Sequence, residues 1–174
     1  MWIVGYLIVC LLIADFISGL FHWLEDRYDF SNIPYVGGFI NEYISKPNLE
    51  HHTYPQRFLN GDFWYRNYTT MIPAFASAII VFYINPLFCL PFIMAGFSNE
   101  IHAFAHRKGK LPVFIEVLQD VGVFQNPRHH ALHHTSPNNR YYCVITNFLN
   151  PILEQIKFWD RLEKLLLVLN IKVK

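Results

Sequence analysis

Apolar residues fall in two long blocks, and polar segments separate and follow them. Trp2 to Leu24 carries one charge, Asp15. It is long enough to cross a bilayer core, which needs ~20 residues. It lacks a basic leader, and the apolar run continues past the length of a cleavable signal core. It is therefore expected to stay as an anchor. The second block, Asn67 to Asn99, has no charged residue. As one helix it would be about 50 Å long, against a bilayer core of ~30 Å. Asn85-Pro86 falls in its middle and is a turn signal. The pattern predicts a helical hairpin, Tyr68 to Ile84 one way and Leu87 to about His106 returning. One long tilted span kinked at Pro86 is the alternative.

Two amphipathic stretches follow. Leu111 to Phe124 is expected to open a helix at Pro112, with Phe114, Val117, Leu118 and Val121 forming its apolar face. Asn150-Pro151 starts a second, with Leu153, Ile156, Leu162, Leu166 and Leu169 inward and Lys157, Asp160, Arg161 and Lys164 outward. Both read as helices lying on the membrane interface. The expected fold is an all-α integral membrane protein with about three transmembrane helices plus interfacial amphipathic helices. One domain spans 1–174, without repeats or low-complexity segments.

Composition agrees with a membrane. Hydrophobic residues make up 53% of the 174 residues and charged residues 16%, an unusual balance for a soluble domain. A formal net charge of +1 gives no long-range field for nucleic acid. The three cysteines form neither a disulfide framework nor a zinc knuckle. All 14 Lys and Arg lie between Glu25 and Asn67 or after His106. By the positive-inside rule that face is cytoplasmic. In a eukaryotic cell the expected membrane is the endoplasmic reticulum.

Histidines supply the candidate chemistry. There are nine. His129, His130, His133 and His134 share one short run. His51-His52 and His102-x-x-x-His106 are close pairs, and His22 closes the first apolar block. Neutral imidazole suits Fe, Zn, Cu and Ni. Any one histidine alone reads as a surface or satisfied core residue, but three clusters point to metal. Three spans bring all of them to one side of the bilayer, whereas two would separate His22 from the rest. His129 has a second reading as a support for its neighbours, because four crowded histidines seldom all point one way. Polar residues within the spans form stripes: Asp15, Gly19, His22 and Asp26, then Asn99, His102 and His106. Buried ionisable groups in a membrane usually face a functional interior. Asp26 lies one turn beyond His22 and can reach the same site. Asp15 lies two turns deeper, where Asn99 is a candidate partner.

Several chemistries are excluded. Neither HExxH nor HxxEH occurs, so this is no zincin. The paired Glu-x-x-His of carboxylate-bridged di-iron bundles is absent. Histidines at span ends do not suit a mid-membrane haem. What remains is a histidine-rich site with enough nitrogens for two metals beside the lipid headgroups. Two irons can activate O2 and attack an unactivated C–H bond, chemistry that belongs to the cofactor rather than to side chains.

At these residues the chain resembles the histidine-rich membrane lipid desaturases. That family includes plasmanylethanolamine desaturase, its bacterial relative CarF and the plastid palmitate trans-3 desaturase. The matching segments are Ala14 to Trp23 with Asp26, then Glu50-His51-His52 with Pro55, and Asn99-Glu100-Ile101-His102 with His106. Leu118-Gln119-Asp120, His129-His130-x-x-His133-His134, Tyr142-Cys143, Asn150 and Leu162-Glu163 continue the match. Coverage is nearly the whole chain. Plasmanyl enzymes carry Asp-Pro where Tyr54-Pro55 stands here, and His-Asp where Gly61-Asp62 stands. The plastid branch has an aromatic-Pro and also lacks that histidine.

The resemblance implies an O2-dependent oxidoreductase with a di-iron site. The metal ligands would be His22, His51, His52, His102, His106, His129, His130, His133 and His134, with Asp26 as the catalytic carboxylate. It implies a double bond near the glycerol end of a glycerolipid alkyl or acyl chain. With no dinucleotide fingerprint, electrons would come from a partner such as cytochrome b5 or ferredoxin with its reductase. Two rivals keep part of this picture: a di-iron lipid hydroxylase, and a non-enzymatic metal-binding membrane protein or transporter. The uncharged middle span, Thr69 to Asn85, speaks against a transporter.

Overall fold

The first helix, α1 (Trp2–Arg27), turns a small and polar stripe inward. Its buried residues are Cys10, Ala14, Asp15, Ser18, Gly19, His22, Trp23 and Asp26, spaced at helical intervals. Ile3, Leu7, Ile8 and Ile13 are exposed on the other side. That is the reverse of a soluble amphipathic helix. It is the pattern of a helix whose large apolar side chains meet lipid and whose small ones let other elements approach. A computed structural model describes residues 2–169 and 171; residues 1, 170 and 172–174, at the ends of the expected domain, lie outside the described residues. Among the described residues the elements are all helical.

After α1 the chain folds through short helices. α2 (Gly37–Ile40), a π turn at Asn41–Ser45 and α3 (Lys46–Thr53) run on from one another. The Asp62 side chain then accepts from the Tyr65 amide at 2.8 Å and caps α4 (Phe63–Phe82). That cap starts the helix five residues before Tyr68, where the apolar pattern placed it.

The turn falls where Asn85-Pro86 places it. The Asn85 side chain accepts from Leu87 N at 3.0 Å, and Pro86 enters a 3-10 turn, Pro86–Phe88, that leads into α5 (Cys89–Gly96). α6 (Ser98–His106) follows after a break at Phe97. Thr70 Oγ1 donates to Gly96 O at 3.1 Å, and Asn99 Nδ2 to Arg66 O at 2.8 Å, so α4 packs back along α5 and α6. Gly96 makes room for the Phe75 ring: a Cβ there would lie 2.8 Å from Cε1. Two stretches, Trp2–Arg27 and Pro86–His106, are long and apolar enough to cross a membrane. The first half of α4 carries Arg66, Asn67, Thr69 and Thr70 and is more polar.

The rest of the chain corrects one expectation, at its last helix. α7 (Val113–Asp120) buries Ile115 and Gln119. Phe114, Val117 and Val121, on the expected apolar face, are exposed, so that face turns away from the protein. α8 (Pro127–His130) is capped by Asn126, whose side chain accepts from His129 N at 2.9 Å. The helix expected from Asn150 onward is two helices, α9 (Leu149–Gln155) and α10 (Phe158–Val168). Lys157, in the left-handed region at φ 51°, breaks them. Leu153, Leu162 and Leu166 pack inward, while Ile156 and Leu169 are exposed.

Trp23, Tyr142, Cys143, Leu153 and Trp159 form one core cluster; Ala14, Ala95, Ile101 and Ile145 form another. Trp23 stacks on Trp159 with centroids 6.4 Å apart, a contact worth ~0.5–1.5 kcal/mol beyond burial. Beside it Glu163 accepts from Arg27 Nε at 2.8 Å and from Trp23 Nε1 at 3.3 Å. α10 is thereby fixed to the end of α1.

Candidate metal centre

Five imidazole nitrogens meet at one point. His102 and His106 lie one turn apart on α6, the i, i+4 spacing that shares a face. His51 comes from α3, and His130 and His134 from α8 and the turn after it. The Nε2 of His102 lies 3.1 Å from that of His51, 3.0 Å from that of His106 and 2.9 Å from that of His130. His130 is in turn 2.8 Å from His106 and 2.9 Å from His134, Nε2 to Nε2. A ring nitrogen carries either a proton or a lone pair, so such a mutual cluster cannot satisfy all its members with hydrogen bonds. A cation accepting their lone pairs does satisfy them.

A second group lies beside the first. His22 and Asp26, one turn apart on α1, meet His52 and His133. His52 Nε2 is 3.0 Å from both Asp26 oxygens. Asp26 Oδ2 is 3.4 Å from His133 Nε2 and 3.9 Å from His22 Nε2. Within each group the donor atoms lie within 4.8 Å of one another. The two doublets are shared out. His51 and His134 serve the first group, and His52 and His133 the second. The groups are adjacent, with His22 and His102 rings 5.6 Å apart and His52 and His134 rings 5.2 Å apart.

Backbone carbonyls fix the second group's tautomers. His22 Nδ1 donates to Tyr142 O at 3.1 Å and His133 Nδ1 to Arg140 O at 2.7 Å. Each ring therefore turns an Nε2 lone pair toward the group, and both Nε2 atoms are buried without a hydrogen-bond partner. This is how proteins orient imidazole ligands. The residues present therefore fit two cations. Tyr141, between the two carbonyls, has φ 59°. A left-handed non-glycine residue costs about 1–3 kcal/mol, a strain typical of functional sites.

The carbonyl segment is anchored by polar residues of α1 and α9. Asp15 Oδ1 accepts from Ile145 N at 2.9 Å and Thr146 N at 3.1 Å, and its Oδ2 from Thr146 Oγ1 at 2.6 Å. Asn99, the partner suggested for Asp15 from sequence, bonds Arg66 O instead. Ser18 Oγ accepts from Val144 N at 3.2 Å. Asn150 brackets Cys143, accepting from its N at 3.0 Å and donating to its O at 2.7 Å. Gly19 permits the approach, because a Cβ there would sit 2.6 Å from Cys143 Sγ.

Electrostatics keep the histidines of α3, α8 and the turn after α8 in the ligand form. Burial, then neighbouring imidazoles, hold His51 and His130 well below the ordinary value and bring His134 down to about 3. Neutral imidazole is the metal-binding state.

Eight of the nine histidines, with Asp26, belong to these two groups. His129 stands apart. Its Nε2 lies 3.3 Å from Asn150 Nδ2, and its ring meets Tyr141 edge-on at 5.1 Å. It therefore supports the carbonyl segment. Sequence reasoning missed Asn48, whose Nδ2 donates to Asp26 Oδ1 at 2.6 Å. It also missed Arg66, which holds Glu100 through both oxygens at 2.8 and 3.1 Å just before His102. Arg66 was a visible signal, a lone arginine entering an apolar block; Asn48 gave none. Gly61 lies outside both groups and leaves space for the Tyr65 ring.

Fold and site together define an all-helical protein with a histidine-rich, metal-capable double centre at the ends of apolar helices. The chain belongs to the lipid desaturase domain family, whose model matches residues 11–172. It is 36% identical to mouse (Mus musculus) plasmanylethanolamine desaturase 1, over 89% of this chain and 61% of that protein. It is 30% identical to plasmanylethanolamine desaturase of Myxococcus xanthus, over 89% and 57%. It is 31% identical to chloroplastic fatty acid desaturase 4 of Arabidopsis thaliana, over 87% and 48%. The chain thus spans about half to three fifths of these relatives' lengths. No solved structure matches it significantly.

Proposed function

We propose that the protein is a membrane lipid desaturase that uses O2 and two irons to place a double bond in a glycerolipid alkyl or acyl chain near its glycerol end. The observation that carries this reading is the pair of adjacent histidine groups sharing the His51-His52 and His133-His134 doublets. His51, His102, His106, His130 and His134 would hold one iron, and His22, Asp26, His52 and His133 the other. Two irons so held would supply O2 activation and removal of hydrogen from an unactivated C–H bond, chemistry beyond any side chain. The chain loses two hydrogens as its C–C bond becomes C=C. With two electrons and two protons from outside, O2 leaves as two waters. Cytochrome b5 or ferredoxin with its reductase is the electron source we propose.

The protein's part is positioning. Tyr142 O and Arg140 O keep the Nδ1 protons of His22 and His133 away from the centre. Asn48 steadies Asp26, and buried walls limit water. The relatives named as plasmanylethanolamine and fatty acid desaturases support the substrate class.

Topology supports a membrane-surface site. α1 and the Pro86–His106 stretch both end at the histidines, and both begin together, with Tyr6 Oη donating to Leu87 O. Two parallel spans need a return between them, and α4 is the segment of that length. We read it as the third span, with the histidine face cytoplasmic. A glycosylation tag at Asn85 should report the side opposite the 25–67 segment; cytoplasmic exposure there would remove the hairpin. The central test is lipidomics of an expressing cell, wild type against His133→Ala. The expected result is a new unsaturated lipid that the variant does not make; a hydroxylated lipid, or no product in either, overturns the reading.

A further inference from the structure

A cavity of about 260 Å³ borders the candidate metal centre and touches His51 and His102. It lies between the 43–58 segment, the start of α4 and α6. Four tyrosines, Tyr43, Tyr54, Tyr65 and Tyr68, line it. Tyrosine prefers the membrane–water boundary, where one end of the ring is wet. Two arginines also line it, in different states. Arg66 is consumed by its bidentate pair with Glu100. The Arg57 guanidinium makes no hydrogen bond among those described. Its carboxylate contact is Glu50 at 3.8 Å, with the two side chains 66% and 52% exposed, a pairing worth little in water. Its guanidinium lies over the Tyr54 ring, 4.3 Å from the centroid. This cation–π contact holds the head of the side chain in place and leaves its N–H donors for a ligand. A planar fork of this kind suits bidentate recognition of phosphate oxygens.

We propose that this cavity is the polar-head site for the lipid substrate, and that Arg57, held over Tyr54, binds the phosphodiester of a glycerophospholipid. Glu25 and Glu50 share the lining. The exposed Glu50 carboxylate opposes a bare anion and favours a head whose phosphate carries a hydrogen-bond donor. Arg57 acts as a positioning and specificity residue. It follows His51-His52 within the same segment, so fixing the phosphate there fixes the first carbons of the chain beside the metal groups. The assignment rests on the desaturase reading for the use of the bound lipid, whereas binding itself needs no turnover.

The test measures retention of lipid by the purified full chain in nanodiscs, read by native mass spectrometry. The probes are phosphatidylethanolamine, phosphatidylglycerol and diacylglycerol, with inorganic phosphate as competitor. Arg57→Ala should lower phospholipid retention roughly tenfold. It should leave diacylglycerol retention and iron content unchanged. Arg57→Lys should recover part of the loss and Tyr54→Phe, which keeps the ring face, nearly all wild-type retention. Unchanged phospholipid retention in Arg57→Ala overturns the proposal, and so does equal loss of diacylglycerol, which would mean a structural role. Arg57-dependent binding of inorganic phosphate as tight as that of the lipid makes this a free-phosphate site and overturns the lipid assignment. Lipid binding as expected, in a protein that makes no unsaturated product, overturns the desaturase reading alone.

Discussion

Gly19 is the point at which a single methyl should reach the metal centre. A Cβ there would lie 2.6 Å from Cys143 Sγ, 3.2 Å from Cys143 N and 3.3 Å from its Cα. Ordinary contact begins at 3.4 Å, so the sulfur must retreat by about 0.8 Å. It has little freedom to do so. Cys143 is fully buried, and its peptide is held by Asn150 at 3.0 and 2.7 Å and by Gln125 Nε2 at 2.7 Å. Overpacking of this kind costs ~1–3 kcal/mol. The strain passes to Tyr142, whose carbonyl orients His22 across 3.1 Å. A displacement of ~0.8 Å takes that bond beyond hydrogen-bonding range. Loss of such an orienting bond lowers metal affinity by ~10–100-fold. The assay is iron affinity by chelator competition, measured beside thermal unfolding, for wild type, Gly19→Ala and Gly19→Ala with Cys143→Ala. Removing the sulfur should restore much of both properties, while the backbone contacts at 3.2 and 3.3 Å keep recovery partial. Wild-type affinity and stability in Gly19→Ala would refute the reasoning, and a double variant no better than the single one would refute the role given to the sulfur.

Elemental analysis should give about two irons per chain. His51→Ala and His22→Ala should each lose one while His129→Ala keeps both; stoichiometric zinc without iron in natively expressed protein would sink the oxygenase reading. Asp26→Ala should reduce desaturation by ~10–100-fold. Asp15→Ala should destabilise through three unsatisfied donors at ~1–3 kcal/mol each, and Asp15→Asn should be milder because the amide still accepts at Oδ1. Product formation at wild-type rate in Asp26→Ala would return Asp26 to an ordinary helix-end residue. Metal-free protein should lose stability on acidification. Above the ordinary histidine value of 6.5 the contribution is fully present; below it the unfolded chain binds protons that buried His51, His130 and His134 refuse, for His134 down to about 3. Denaturant titrations from neutral to acid pH check this, and stability rising as pH falls would contradict it.

Periodicity read the helices well where lipid and protein sort side chains cleanly. α1 and the hairpin turn at Asn85-Pro86 follow from apolar block length and one turn signal. The gathering of the histidines into one site was legible. Their division into two was not drawn from sequence, although adjacent residues on a helix point ~100° apart, so a doublet such as His51-His52 is poorly placed to face one ion. The apolar face of α7 was legible, but whether the protein covers it was not. An apolar stripe marks the face that avoids water, and beside a membrane that face can be the outer one. Phe114, Val117 and Val121 are exposed, while Ile115 and Gln119 face the protein.

The segment that organises the second group was the least legible. Residues 141–146 form neither helix nor strand, and Tyr142 to Thr146 are buried. Buried backbone must find hydrogen-bond partners, and without regular structure these come from side chains. Asp15 takes Ile145 N and Thr146 N, Ser18 takes Val144 N, and Asn150 takes both sides of Cys143. His22 and His133 use the carbonyls on either side of Tyr141. This accounts for a charged residue two turns inside an apolar helix. Asp15 answers amide donors of an irregular strap, and the strap in turn sets the tautomers of two histidines. Carboxylates and hydroxyls on the inward face of a long apolar helix therefore point to buried non-helical backbone beside it, as well as to ions or substrate. Here the two meanings meet on one stripe, with Asp15 and Ser18 holding the strap and His22 and Asp26 facing the centre that the strap orders.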